Sequence, residues 1–198
     1  MAKFTKIKLQ KLLANMEREE LIAEICGLYD RVPQVREYFA MEDGGGAAVL
    51  ATYKKSLEKK FKFGTKMRAP KPIDVRTVIN AYKALNPPPH ELADLLLCRV
   101  EWSIRSVIDL QESYGKGLNT SFYNSLDTAI VEIFKFVTSE KLETYFEQRC
   151  IAVCVDAQKC WYLTEYFSEY FSTYNEYFSN KFTVKRNGHK LIIGMPNI

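Results

Sequence analysis

Histidine is scarce in this 198-residue chain: there are two, His90 and His189, and neither stands at ligand spacing from another metal-binding side chain. Neither stands in a recognisable nucleophile constellation, and the usual zinc ligand set is missing. Five cysteines, an odd number, lie in stretches with helical periodicity and have no short loops to staple, so reduced thiols are expected. Cys150 and Cys154 share a helix face, but Cys160 falls about 280° around the same helix from Cys150, so the three do not converge on one metal. Strand-like alternation is almost missing before the last fifteen or so residues. No apolar run approaches the roughly 18 residues a membrane span needs, and the opening MAKFTKIKLQ lacks the apolar stretch of a signal peptide, which predicts a cytoplasmic protein. Asp43-Gly44-Gly45-Gly46 is followed by Ala47-Ala48-Val49-Leu50, without the lysine and hydroxyl residue that a phosphate-cradling loop requires. It reads as a joint.

What remains is helix. Apolar residues make up 47% of the chain and recur at spacings of three and four, which predicts an all-α fold with a substantial core. Early helices are expected over residues 5–14, then after Asn15 as a cap with Glu17, Glu19 and Glu20 in the first turn, and then from Pro33. The next run, 47–63, is stopped by Gly64 and followed by an irregular basic stretch, 65–72. Helices are expected from Asp74 to before Asn86, over 90–114, from Asn119 through Val137, over 140–157, and over 159–180. In the 90–114 helix the polar residues Asp94, Cys98, Glu101, Arg105, Asp109 and Glu112 form one narrow stripe, which marks a central helix covered on several sides. Arg99 lies outside that stripe among leucines and requires a partner; Asp127 and Glu132 are the candidates. The tail, with Asn187-Gly188 between alternating segments, predicts a short β-hairpin that docks on the helices or stays mobile.

Two localised features carry the functional reading. Nine of the 26 aromatic residues lie between Trp161 and Phe178, where the unit EYFS occurs three times. On a helical wheel the aromatic side chains occupy one half and the glutamates and serines most of the other, so Tyr166, Tyr170, Tyr174 and Tyr177 present either a core face or a partner-binding groove. The +4 charge is equally uneven: residues 1–76 hold 16 Lys and Arg against 10 Asp and Glu. Within that part, Lys54, Lys55, Lys59, Lys60, Lys62, Lys66, Arg68 and Lys71 are opposed in their own stretch only by Glu58, a density suited to a polyanion such as nucleic acid. Phe61 and Phe63 interleave with them, Phe61 as a core residue.

The stretches LLANMEREELIAEICGLYDRVPQVREYF, YKKSLEKKF, ADLLLCRVEW and SFYNSLDTAI together resemble a bacterial family of uncharacterised, mainly helical proteins of the domain-of-unknown-function kind, over about residues 5–180. The resemblance implies a bacterial cytoplasmic helical protein and brings no catalytic residue with it. The expectation is thus a single α-helical domain over 1–181, an irregular bundle or array of antiparallel helix pairs jointed near 43–46, with residues 182–198 as hairpin or tail. The expected function is non-catalytic protein interaction or scaffolding, with no metal or cofactor. Its partner is another protein or a second copy rather than a membrane, and nucleic-acid or polyanion binding through 54–71 is the alternative.

Overall fold

Proline at a first helical position and a glycine with positive φ set the layout of the first 49 residues. The computed structural model describes residues 4–114, 118–157, 167–187 and 190–195. Helix α1 is Lys6–Leu13, α2 Arg18–Arg31 and α3 Pro33–Ala40, with Pro33 at the start of α3, where its missing N–H costs no bond. Asn15 does not cap α2. Glu17 does, its backbone N–H donating to Glu20 Oε2 at 2.9 Å, because a glutamate three residues into the helix reaches back over the first turn. The Asn15 amide instead donates to the Lys11 carbonyl at 3.1 Å. A π-type turn, Met41–Gly45, follows α3, and Gly44 sits at φ 84°, open to glycine at little cost. The residues of α1 to α3 bury no side chain.

The chain parts into two compact units, Met1–Val49 and Leu50–Ile198. The boundary falls just after the glycine joint expected near 43–46. In the second unit lie most of α4 (Gly46–Phe61), α5 (Pro72–Lys83), α6 (Pro89–Tyr114), α7 (Thr120–Ser139), α8 (Glu143–Ala157) and α9 (Phe167–Tyr177). The fold is all-α, and α6 is its centre, packed against α5, α7 and α8. Ala93, Leu95, Leu97, Val100 and Val107 of α6 are fully buried, as the narrow polar stripe requires. Facing them are Ile130, Ile133, Phe134 and Val137 of α7 and Cys150 and Cys154 of α8, all at zero exposure. Between α7 and α8 the backbone turns through Lys141 at φ 58°, with Leu142 N–H donating to the Val137 carbonyl (2.8 Å) and Lys141 N–H to that of Thr138 (3.2 Å), the Schellman pattern of a helix end.

Two antiparallel ribbons complete the unit. The first takes the end of the helix expected over 47–63 and the start of the irregular stretch expected over 65–72: β1 (Lys62–Phe63) pairs with β2 (Lys66–Met67), Lys62 opposite Met67 and Phe63 opposite Lys66. Gly64 at φ 61° opens its two-residue loop while Thr65 keeps a negative φ, the pattern of a type II′ hairpin turn, so Gly64 turns a hairpin rather than stopping a helix, α4 having already ended at Phe61. The second joins β3 (Thr183–Asn187) to β4 (Lys190–Gly194), in register from Thr183 opposite Gly194 to Asn187 opposite Lys190. The chain entering β3 is tied to α9: the Asn175 side chain accepts from Phe182 N–H (2.8 Å) and donates to the Phe182 carbonyl (3.0 Å). Phe182, 3% exposed, closes on Phe171 and Tyr174, with ring centroids 4.5 and 4.9 Å away.

Candidate nucleic-acid interface

Of the two localised features, the aromatic helix goes inward. Tyr170 (3% exposed), Phe171 and Tyr174 (both 0%) and Phe178 (1%) are core residues, and Tyr177 is half-buried. This corrects the partner-groove reading for Tyr170 and Tyr174. Tyr166 lies outside the described residues, as do Cys160 and the start of the expected 159–180 helix. The hydroxyls that a core tyrosine must satisfy find carboxylates: Tyr170 donates to Asp127 at 2.5 Å and Tyr174 to Glu147 at 2.8 Å. Burial, followed by the bond and charge of Glu147, pushes the Tyr174 phenol well above its ordinary range. The five aromatic rings of α7, α9 and the following turn interlock, with Tyr174 stacked on Phe178 at 4.3 Å and edge-on to Phe134 at 5.7 Å.

The basic segment divides into structural and free charges. Lys54 is structural: its ammonium meets Asp94 of α6 at 2.5 Å, and Arg149 of α8 reaches the other oxygen of Asp94 at 2.7 Å. Arg149 also grips both oxygens of Glu101, at 2.9 and 3.0 Å, so one network ties α4, α6 and α8. Burial alone would raise the Asp94 carboxyl, but the hydrogen bonds and charges of Lys54 and Arg149 outweigh it and hold it below the ordinary carboxylate range. Lys62 is engaged twice, with Glu58 at 2.5 Å and over the Trp102 ring at 4.6 Å. Arg68 donates to the carbonyls of Lys60 (2.6 Å) and Lys59 (3.2 Å), placing a guanidinium at the negative end of α4. Lys54 thus ties helices together, while Lys62 and Arg68 hold the ribbon to its neighbours.

Lys55, Lys59, Lys66 and Lys71 are exposed and Lys60 is half-buried, and among the described residues none of the five forms an ion pair. The single carboxylate of their stretch, Glu58, is already taken by Lys62. At the turn of the ribbon stands Phe63, 79% exposed, while Phe61 two residues earlier is 1% exposed and belongs to the core. Ribbon geometry dictates that split, because Phe61 is the last residue of α4 and Phe63 the last of β1, opposite Lys66. The ribbon is fixed at its base: Arg68 N–H donates to the Phe61 carbonyl (2.8 Å), and buried Ser106 of α6 donates to the Arg68 carbonyl (2.9 Å). The ribbon, hydrogen-bonded at its base to α4 and α6, therefore carries an exposed aromatic ring opposite Lys66, which forms no ion pair among the described residues.

Elsewhere, Arg99 finds the expected Glu132 (3.3 Å) together with the carbonyl (3.2 Å) and hydroxyl (3.1 Å) of Ser125, while Asp127 serves Tyr170 instead. The thiols divide as well. Cys154 is buried and pushed up to about 12 by that burial, and half-buried Cys98 is pushed up to about 11, chiefly by burial and then by Glu101. Cys150 is buried like Cys154, whereas Cys26 is exposed rather than in a core. Among the described residues no three His, Cys, Asp or Glu side chains cluster as metal ligands, and no helix is long and apolar enough to cross a membrane.

These features define an all-α protein whose second unit projects a basic ribbon tipped by an aromatic residue. No protein family, curated protein or solved structure matches the chain, so the functional argument rests on this geometry alone.

Proposed function

We propose that the protein binds single-stranded nucleic acid through the β1–β2 ribbon and the exposed lysines around it, without catalysing a reaction on it. The exposed ring of Phe63, held at the turn by Gly64 and flanked by Lys66, carries this reading. An unstacked base has a π-face for that ring, and Lys55, Lys59, Lys60, Lys66 and Lys71 neutralise the phosphates on either side. A duplex keeps its bases stacked and offers Phe63 nothing, which favours a single strand. Fluorescence anisotropy of a labelled oligothymidylate tests it. Lys59→Glu with Lys60→Glu should weaken binding about 10- to 100-fold and flatten the slope of log K against log salt by roughly 1.4, the equivalent of two phosphate contacts. Phe63→Ala should weaken binding while leaving the slope unchanged. Binding that is indifferent to salt, or to both variants, sinks the proposal.

Self-association is a second reading, supported by the first unit. Ten large apolar side chains between Phe4 and Phe39 are 38–66% exposed, among them Ile22, Ile25, Leu28 and Tyr29 on one stripe of α2. Together they present on the order of 800 Å² of apolar surface, the area each partner contributes to a standard interface. The occupant we assign to this surface is a second copy, because the unit is self-complementary in charge: α1 carries Lys6, Lys8 and Lys11 and no acid, while Glu17, Glu19, Glu20 and Glu24 crowd the start of α2. Sedimentation equilibrium of the full chain should show a dimer that Ile22→Glu with Ile25→Glu converts to a folded monomer. A wild-type monomer at every concentration contradicts it.

A further inference from the structure

A cavity of about 420 Å³ opens between the start of α5, the middle of α6 and the first turns of α7. Its wall is made of two arginines, Arg76 and Arg99, Pro72, and a run of small polar residues on α7 from Thr120 to Thr128. No carboxylate lines it among the described residues. Arg99 is 7% exposed and held from behind: Nη1 by Glu132, and Nη2 by the carbonyl and hydroxyl of Ser125. Its Nε has no partner among the described residues. Arg76 is exposed and forms no ion pair there. Glu132 is shared, meeting Lys83 at 2.6 Å as well as Arg99 at 3.3 Å, so two cations divide one carboxylate, and the charge of Arg76 also acts on Arg99. Burial, partly opposed by Glu132, pulls the Arg99 guanidinium below its ordinary range, and the charge of Arg76 pulls it further.

We propose that this cavity binds a phosphate group. Arg76 supplies a guanidinium fork, and Arg99, whose Nη1 and Nη2 are held by Glu132 and Ser125, adds its Nε–H, donors that a tetrahedral oxyanion accepts; Thr120 and Ser121 stand beside them in the wall. The first turn of the 20-residue helix α7 adds the positive end of its dipole. An anion there supplies counter-charge to Arg76 and to Arg99, whose only carboxylate partner, among the described residues, is one that Lys83 shares. The volume exceeds what phosphate alone fills and accommodates a small organic group attached to it. No residue of the basic ribbon takes part, so this site and the nucleic-acid reading stand or fall separately.

Isothermal titration calorimetry of the full chain with inorganic phosphate and with glycerol 3-phosphate, at ionic strength matched with sodium chloride, tests the site. One saturable site is expected, with affinity cut at least about tenfold by Arg76→Gln, since one bidentate charged partner is lost. Among the described residues the Arg76 side chain forms no hydrogen bond or ion pair, so this variant should keep its melting temperature; Lys59→Glu with Lys60→Glu should bind phosphate as the wild type does. Tighter binding of glycerol 3-phosphate assigns the group to an organic ester, and tighter binding of inorganic phosphate assigns it to the free ion; either supports the cavity. Absence of saturable binding by both probes, or binding unchanged in Arg76→Gln, overturns it.

Discussion

Replacing Tyr174 by alanine should cost about 3–5 kcal/mol of folding stability, the range for deleting a large buried ring without refilling its space. The ring is fully buried, lies in contact with Phe134, Phe178 and Phe182, and sends its hydroxyl to Glu147. Removing it opens a cavity where α7, α9 and the turn after α9 meet, and costs Glu147 its donor at 2.8 Å. Asn180 still donates to both oxygens of Glu147, at 3.3 Å, so the carboxylate is not stranded. Tyr174→Phe separates the two contributions: it keeps the ring, loses the bond and should cost only about 1 kcal/mol. Urea unfolding of both variants measures the difference. A cost under about 1 kcal/mol for Tyr174→Ala would place the ring outside the core and revive the aromatic face as a partner groove.

Asp94→Asn should cost about 2 kcal/mol near neutral pH, within the range for hydrogen bonds to charged groups and moderated because the side chain is 24% exposed. Two cations, Lys54 and Arg149, lose their shared counter-charge, although Arg149 keeps Glu101. The pH dependence has a definite sign. Lys54 and Arg149 hold the folded-state pKa of Asp94 below its unfolded value of about 4, so the contribution is fully present above that value and is lost as pH falls through the lower folded pKa. Wild type and Asp94→Asn should therefore differ most at neutral pH and converge in acid. A gap that stays constant down to the acid limb would mean that Asp94 contributes packing rather than charge.

Much of this architecture was legible in the chain because it is local. Pro33 opens α3, the narrow stripe on α6 marks a central helix, and Arg99, placed among leucines, had to find a carboxylate such as Glu132. The aromatic helix shows where that stops: a one-sided stripe states that a face will be covered, and only packing states by what, here the rest of the same unit. The basic segment was legible as a density and not as a set of roles. Lys54 and Lys55 are neighbours, yet the partner of Lys54, Asp94, is 40 residues away, and no spacing rule reaches that far. The ribbon escaped because strands of two residues are too short to show alternation; the signal available was Gly64-Thr65 between Lys62-Phe63 and Lys66-Met67. Glu17 displaced Asn15 as the cap of α2 because the partner glutamate, Glu20, lies three residues after the first and not after the second.

The central claim, that nucleic acid meets the protein at the ribbon turn, is tested most directly by ultraviolet cross-linking of a single-stranded oligonucleotide to the full chain, with the attachment site mapped by mass spectrometry. The account predicts a cross-link at Phe63, lost in Phe63→Ala and suppressed by Lys59→Glu with Lys60→Glu. Cross-links that avoid Phe63 and fall instead on tyrosines such as Tyr29, Tyr38 or Tyr145 would contradict it.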